Sequence, residues 1–154
     1  MYYTVRYAHL ESIPNLSVGE PLTYGDLIGR MGSTGQSKHN HLHIDVVEGL
    51  HNVIIRLKDI SERGVAKPSE KQLNYFIDKD LFKVTPYITT PYMSEKYKEI
   101  YGKDHPAIDC VPIDRHSTDE HFDIFWNRSK TGTVIAVGFD EHGYGNYALI
   151  IFHA

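Results

Sequence analysis

Alternation of apolar and polar positions dominates this chain and predicts strands. From Tyr2 to Leu10, Tyr3, Val5 and Tyr7 fall on one face of an extended segment and Thr4, Arg6 and Ala8 on the other, with His9 at its end. Between Val18 and Gly29 the apolar positions come in short pieces broken by glycine and proline, and Gly32-Ser33-Thr34-Gly35 forms a turn cluster. Strands are predicted from His41 to Val47 and from Val53 to Leu57. The period then changes: Leu73, Phe76, Ile77 and Leu81 recur at helical spacing behind Pro68-Ser69-Glu70, which predicts one short helix within residues 60–82. Ser94 to Tyr101 predicts a further helical turn or two. The remainder returns to strands at 108–111, 132–137 and 147–152, with a turn at Gly143-Tyr144-Gly145-Asn146.

Composition narrows the class without naming it. A chain of 154 residues fits one domain with a core of its own, and 41% hydrophobic against 23% charged residues excludes a disordered chain. The net charge of −4 gives no electrostatic footprint for a phosphate backbone, so nucleic acid is not an expected partner. Cys110 is the single cysteine, which excludes an internal disulfide and thiolate-rich zinc or iron–sulfur sites; it reads as a buried strand residue. No apolar run approaches the roughly 18 residues of a membrane span. The opening Met-Tyr-Tyr-Thr-Val-Arg has neither a basic nor an apolar leader region, so no export signal is expected within the chain. Ten histidines are the conspicuous feature, because histidine is both the commonest metal ligand and the commonest general base.

Two constellations use them. His39-Asn40-His41-Leu42-His43 precedes an apolar strand, and an i, i+2 pair in extended conformation puts two imidazoles on one face, one able to bind a metal while the other works beside it. His105-Pro106-Ala107-Ile108-Asp109 offers a nitrogen and an oxygen four residues apart. Each alone reads equally as a solvated cluster or a coincidence of spacing. Together they meet the need of a catalytic zinc for three protein ligands, with an uncoordinated histidine left to activate water and His9 to steady an oxyanion.

Beyond these residues, the order of motifs resembles a family. Tyr7-Ala8-His9-Leu10, the Pro21-Leu22 and Ile28-Gly29 pieces, Gly32-Ser33-Thr34-Gly35-Gln36-Ser37 and His41-Leu42-His43-Ile44-Asp45-Val46 resemble the C-terminal half of the lysostaphin and LytM type of zinc peptidoglycan endopeptidase. His105-Pro-Ala-Ile-Asp109, Gly132-Thr133-Val134-Ile135-Ala136 and Gly143-Tyr144-Gly145-Asn146-Tyr147 resemble its N-terminal half. The resemblance covers residues 2–49 and 86–153, in swapped order, and leaves a connector at 50–85.

What the resemblance implies is a single circularly permuted domain of residues 1–154, mainly β, with an antiparallel sandwich and barrel-sandwich hybrid core and a short helical connector. It implies one zinc per chain on His43, His105 and Asp109, with His41 as the water-activating base and His9 supporting the transition state. The expected substrate is a peptide of bacterial peptidoglycan, similar enzymes cutting glycine-rich or D-alanine-containing cross-bridges, reached through a lysis pore, a virion or another export route. Tyr92, Tyr97 and Tyr101, upstream of His105, are candidates to border a substrate groove. Two positions depart from the pattern: Ile44 stands where the family has an aromatic, and Asp45 where it has glutamate or glutamine, which touches the support of the ligands and not the ligands themselves. His51, His116, His121, His142 and His153 match no ligand position. The alternative reading is an inactive relative that binds wall material, activates an amidase or builds a particle. Swapped order also requires the terminal strands to pair side by side, within a monomer or across a domain-swapped dimer.

Overall fold

The computed structural model describes residues 2–48, 67–68 and 70–153. Its strands are β1 (Tyr2–Leu10), β2 (Pro21–Leu22), β3 (Leu27–Arg30), β4 (Leu42–Glu48), β5 (Lys67–Pro68), β6 (Pro86–Thr90), β7 (Ile108–Pro112), β8 (Asp123–Phe125), β9 (Gly132–Asp140) and β10 (Gly145–His153). Among the described residues two short helices join them, α1 (Glu70–Tyr75) and α2 (Glu95–Tyr101). One large antiparallel sheet runs β2-β9-β10-β1-β4-β7-β6, with β5 on β4, and curls into a half-barrel; β3 and β8 form a second, two-stranded sheet. The chain is mainly β, as its alternation predicts.

The predicted faces of β1 hold. Tyr3, Val5 and Tyr7 join the core cluster with Ile44 and Val46 of β4 and Ala148, Ile150 and Phe152 of β10. Thr4, Arg6 and Ala8 face the other way and are buried as well, because β1 lies in the middle of the sheet. Its neighbours are the last strand, paired from Tyr2 opposite His153 to Tyr7 opposite Ala148, and β4, paired from Tyr3 opposite Glu48 to Ala8 opposite His43. Trp126, Phe76 and Phe152 close the far side of the core with ring centroids 5.6 to 5.9 Å apart.

Other expectations need correction. The helix within residues 60–82 is shorter than the apolar spacing predicts, covering Glu70–Tyr75 among the described residues. Phe76 and Ile77 already bond three residues back, to Leu73 and Asn74, and Asp78 then takes the backbone N–H of Asp80 with its side chain. An aspartate competing locally for backbone donors ends a helix there, while Phe76 and Leu81 still reach the core from turns. The strands β2, β3, β5, β6 and β8 are additional; all five β6 residues are exposed or half-buried at a sheet edge, with no apolar-in, polar-out alternation, so periodicity does not betray that strand. The strand predicted from Val53 to Leu57 lies outside the described residues. Ser94 caps α2 by accepting from Tyr97 N–H, and Gly102 ends it in the left-handed conformation. Among the described residues no helix is long and apolar enough to cross a membrane.

Candidate metal and catalytic site

Strand register builds the site. Directly opposed residues in neighbouring strands point to the same face, so the pairings Arg6 with Asp45, Ala8 with His43, and His43 with Asp109 set one polar row across β1, β4 and β7. The flanking pairs Tyr7 with Ile44 and Leu42 with Cys110 face the core instead. A one-residue slip in any of these strands would turn its functional side chain into the core.

His9 and His41 come from the ends of their strands and are held by one loop. His9 has a φ of 60°, a left-handed conformation that is costly for a residue with a Cβ, and it sits at an irregularity in the β1–β10 register. Three contacts hold it there: its N–H donates to Tyr144 O at 2.8 Å, Thr34 Oγ1 donates to Leu10 O at 2.6 Å, and Asn146 Nδ2 donates to the same carbonyl at 3.2 Å. Thr34 and Asn146 thereby tie the Gly32–Gly35 cluster to the Gly143–Asn146 turn. Gly35 must be glycine at this junction, since a Cβ there would lie 2.4 Å from Gly143 O and its φ is 77°. The His9 Nδ1 lies 2.7 Å from Thr34 O and the His41 Nδ1 2.9 Å from His39 O. A carbonyl only accepts, so both rings carry hydrogen on Nδ1 and, when neutral, leave Nε2 as an acceptor. Their centroids are 5.0 Å apart, and His41 Nε2 lies 3.8 Å from Asp109 Oδ2.

His43, His105 and Asp109 converge. Asp109 Oδ1 is 3.0 Å from His43 Nδ1 and its Oδ2 is 3.3 Å from His105 Nε2, and one ligand atom from each of the three residues lies within 4.8 Å of the others. Two imidazoles and one carboxylate are the donor set of a catalytic zinc site, and an ion among them would replace both proton-sharing contacts of Asp109. The residues fit the group. The far nitrogen of His43, Nε2, lies 3.1 Å from Asp45 Oδ2, whereas the far nitrogen of His105, Nδ1, is buried with no hydrogen-bond partner. The His105 ring is covered instead by Tyr97, centroid to centroid 4.6 Å.

Charge couples these groups tightly. Burial disfavours a charged His43, but hydrogen bonds and attraction to Asp109 and Asp45 outweigh it and raise its pKa to about 9. Burial likewise pushes Asp109 upward, yet His105 and His43 bonding to it hold it well below the usual carboxylate range. His9 goes the other way: burial, then the neighbouring His43 and His41, lower it to about 4. Cys110 is fully buried and its thiol is pushed up by burial, which agrees with a packed side chain and not a nucleophile.

The five residues singled out in the sequence, His9, His41, His43, His105 and Asp109, all open onto one cleft of about 1050 Å³, large enough to admit a peptide. Tyr97 and Tyr101 of α2 line it, their tilted rings 4.6 Å apart between centroids, while Tyr92 packs, half-buried, against the core. His39 and His142 stand at its rim without meeting the ligand cluster. Four participants are not legible from motifs: Arg6, which bonds Asp45; Tyr144, whose ring centroid lies 3.7 Å from the Arg6 guanidinium carbon; and the carbonyls of Thr34 and His39. The signal for the first was present, since Arg6 and Asp45 are opposite charges in the middle of otherwise apolar strands. Asp45, a departure from the family pattern, reaches both Arg6 and His43 with its shorter side chain.

No solved structure matches the chain. A family model described as Peptidase family M23 matches residues 1–54, the part that carries His9, His41, His43 and Asp45, and supports the resemblance to lysostaphin-like metallopeptidases there.

Proposed function

We propose that this chain is a zinc metallo-endopeptidase that hydrolyses peptide cross-bridges of bacterial peptidoglycan. The observation that carries the reading is the convergence of His43, His105 and Asp109 in a peptide-sized cleft beside two histidines whose Nε2 atoms are not tied to the protein backbone. His43, His105 and Asp109 would hold the zinc, which would supply a Lewis acid for the scissile carbonyl and for lowering the pKa of water. His41 takes the proton of the attacking water on Nε2, its ring fixed for that task by the His39 carbonyl. His9 steadies the tetrahedral oxyanion. Its Nδ1–H is tied to the Thr34 carbonyl, so Nε2 is the atom that faces the cleft.

The swapped motif order fits this reading. The antiparallel pairing of β1 with β10 is what a circular permutation of the family domain requires, with residues 50–85 as the new connection, and within one chain it supplies the complete set of five residues. On this reading the active unit is a monomer.

The test is digestion of purified peptidoglycan by the zinc-loaded protein, followed by turbidity and by mass spectrometry of the released fragments. Cleared walls with new peptide termini, abolished by a chelator and restored by zinc, are expected. Stoichiometric zinc without new termini would favour a wall-binding relative that has lost catalysis, and absence of zinc uptake would remove the metallopeptidase reading.

A further inference from the structure

Arg6 and Asp45 form a charged pair buried in the middle of the large sheet. Their side chains are only 3% and 7% exposed, in strands whose other faces build the apolar core. Buried ion pairs are seldom more stabilising than apolar residues of the same volume, because desolvation offsets the attraction. A pair in the centre of a sheet therefore asks for a role beyond holding the sheet together. Its geometry points at the metal ligands. Asp45 Oδ2 accepts from Arg6 Nε at 3.0 Å, from Arg6 Nη2, and from His43 Nε2 at 3.1 Å. The same oxygen thus meets the guanidinium and the imidazole, while Asp45 Oδ1 is buried with no hydrogen-bond partner. Tyr144 covers the guanidinium from the cleft side, its ring 3.7 Å away.

We propose that Arg6 and Asp45 are positioning residues that hold a hydrogen of His43 on Nε2 and aim Nδ1 at the ion's place beside Asp109, so that the ring is set in direction before metal replaces the Nδ1 proton. The inference rests on the reading of His43, His105 and Asp109 as the zinc ligands. Register makes the arrangement: Asp45 follows His43 by two residues on the same face of β4, and Arg6 is its direct cross-strand partner on β1. Arg6 fixes the plane of the carboxylate, and the carboxylate fixes the ring. Partners of this kind on ligating histidines change metal affinity by roughly 10- to 100-fold when removed.

Zinc affinity is measured by competition against a chromophoric chelator, on wild type, Asp45→Asn, Asp45→Glu, Arg6→Met and Arg6→Lys. Asp45→Asn is expected to bind zinc roughly 10- to 100-fold more weakly. Arg6→Met should weaken binding in the same direction, and Asp45→Glu and Arg6→Lys should recover part of each loss. Cobalt-loaded Asp45→Asn should show an altered d–d spectrum, a signature that a general loss of stability would not produce. Nitrogen-15 NMR of zinc-loaded wild type needs no variant to fold: His43 should carry its hydrogen on Nε2. A His43 protonated on Nδ1 in the loaded protein, or wild-type affinity in Asp45→Asn, would overturn the proposal while leaving the zinc site standing. Wild type that takes up no zinc would overturn the zinc reading and this one with it.

Discussion

The β4 side and the β7 side of the cleft each present one imidazole to the same aspartate, and they secure it by different physics. His43 is held through its far nitrogen by a buried carboxylate, itself fixed by Arg6. His105 has no hydrogen bond at its far nitrogen and lies against Tyr97, which continues into Tyr101 on α2. One imidazole is thereby fixed in direction by a hydrogen bond; the other is held in place by a ring contact and shielded from water. A charged network is intolerant of change because removing one member strands a buried charge, whereas an aromatic wall degrades gradually as area is lost. The β4 side should therefore govern metal affinity, and the β7 side should tolerate variation, in keeping with its exposed helix and its position over the substrate cleft.

The largest effect should come from the residue shared by both sides. Asp109→Ala removes the carboxylate that meets His43 and His105 and leaves two imidazoles, so stoichiometric zinc and activity should both be lost; retention of one zinc per chain on metal analysis would show that the two sides do not share an ion. His41→Ala should keep the zinc and lose roughly 10²- to 10⁴-fold in turnover, the range of a general base, measured on a defined cross-bridge peptide. If this variant lost zinc while His43→Ala kept it, the ligand and the base would be interchanged.

Next in size is a pH effect on the chelated protein. His9, depressed to about 4 in the fold, binds a proton more readily when unfolded, so stability falls as pH drops from about 6.5 towards 4, by up to about 3 kcal/mol. His43, raised to about 9, binds its proton more tightly when folded, so its contribution is complete below about 6.5 and is lost as pH rises through 9. Chemical denaturation across pH should give a maximum near 6.5 without metal, and zinc, which displaces the His43 proton, should flatten the alkaline side; a loaded protein that still weakens between 6.5 and 9 would place His43 outside the metal site. The smallest effect should be Tyr97→Leu. Loss of one aromatic contact of about 0.5–1.5 kcal/mol corresponds to a two- to tenfold weaker zinc affinity, and a loss larger than that of Asp45→Asn would reverse the contrast between the two sides.

Much of this was legible because strands report their faces in alternate letters. The alternation in Tyr2–Leu10 and Leu42–Glu48 sorts Val5, Tyr7, Ile44 and Val46 from Arg6, His43 and Asp45 without any knowledge of partners. The five candidate residues were readable because their motifs are short and local. What escaped is what pairing alone supplies. Nothing local in Arg6 says that it meets a residue 39 positions away, and nothing in Tyr97 separates it from Tyr92, which α2 and its preceding turn send to the core side. The helix was overdrawn because apolar spacing past Tyr75 is met equally well by turns, once Asp78 competes for backbone donors.

The central position of β1 beside β10 bears on how the molecule comes into being. Tyr2 pairs with His153, so contacts at the middle of the sheet join residues separated by almost the whole chain. Closing so long a loop costs entropy before any contact repays it, and folds dominated by such pairings are slow to form. During synthesis β1 waits for the last strand to leave the ribosome, and His9, whose backbone bonds Tyr144, waits with it. The histidines therefore stay unassembled until β10 has been made, and the arrangement that would make them hydrolytic comes together only then.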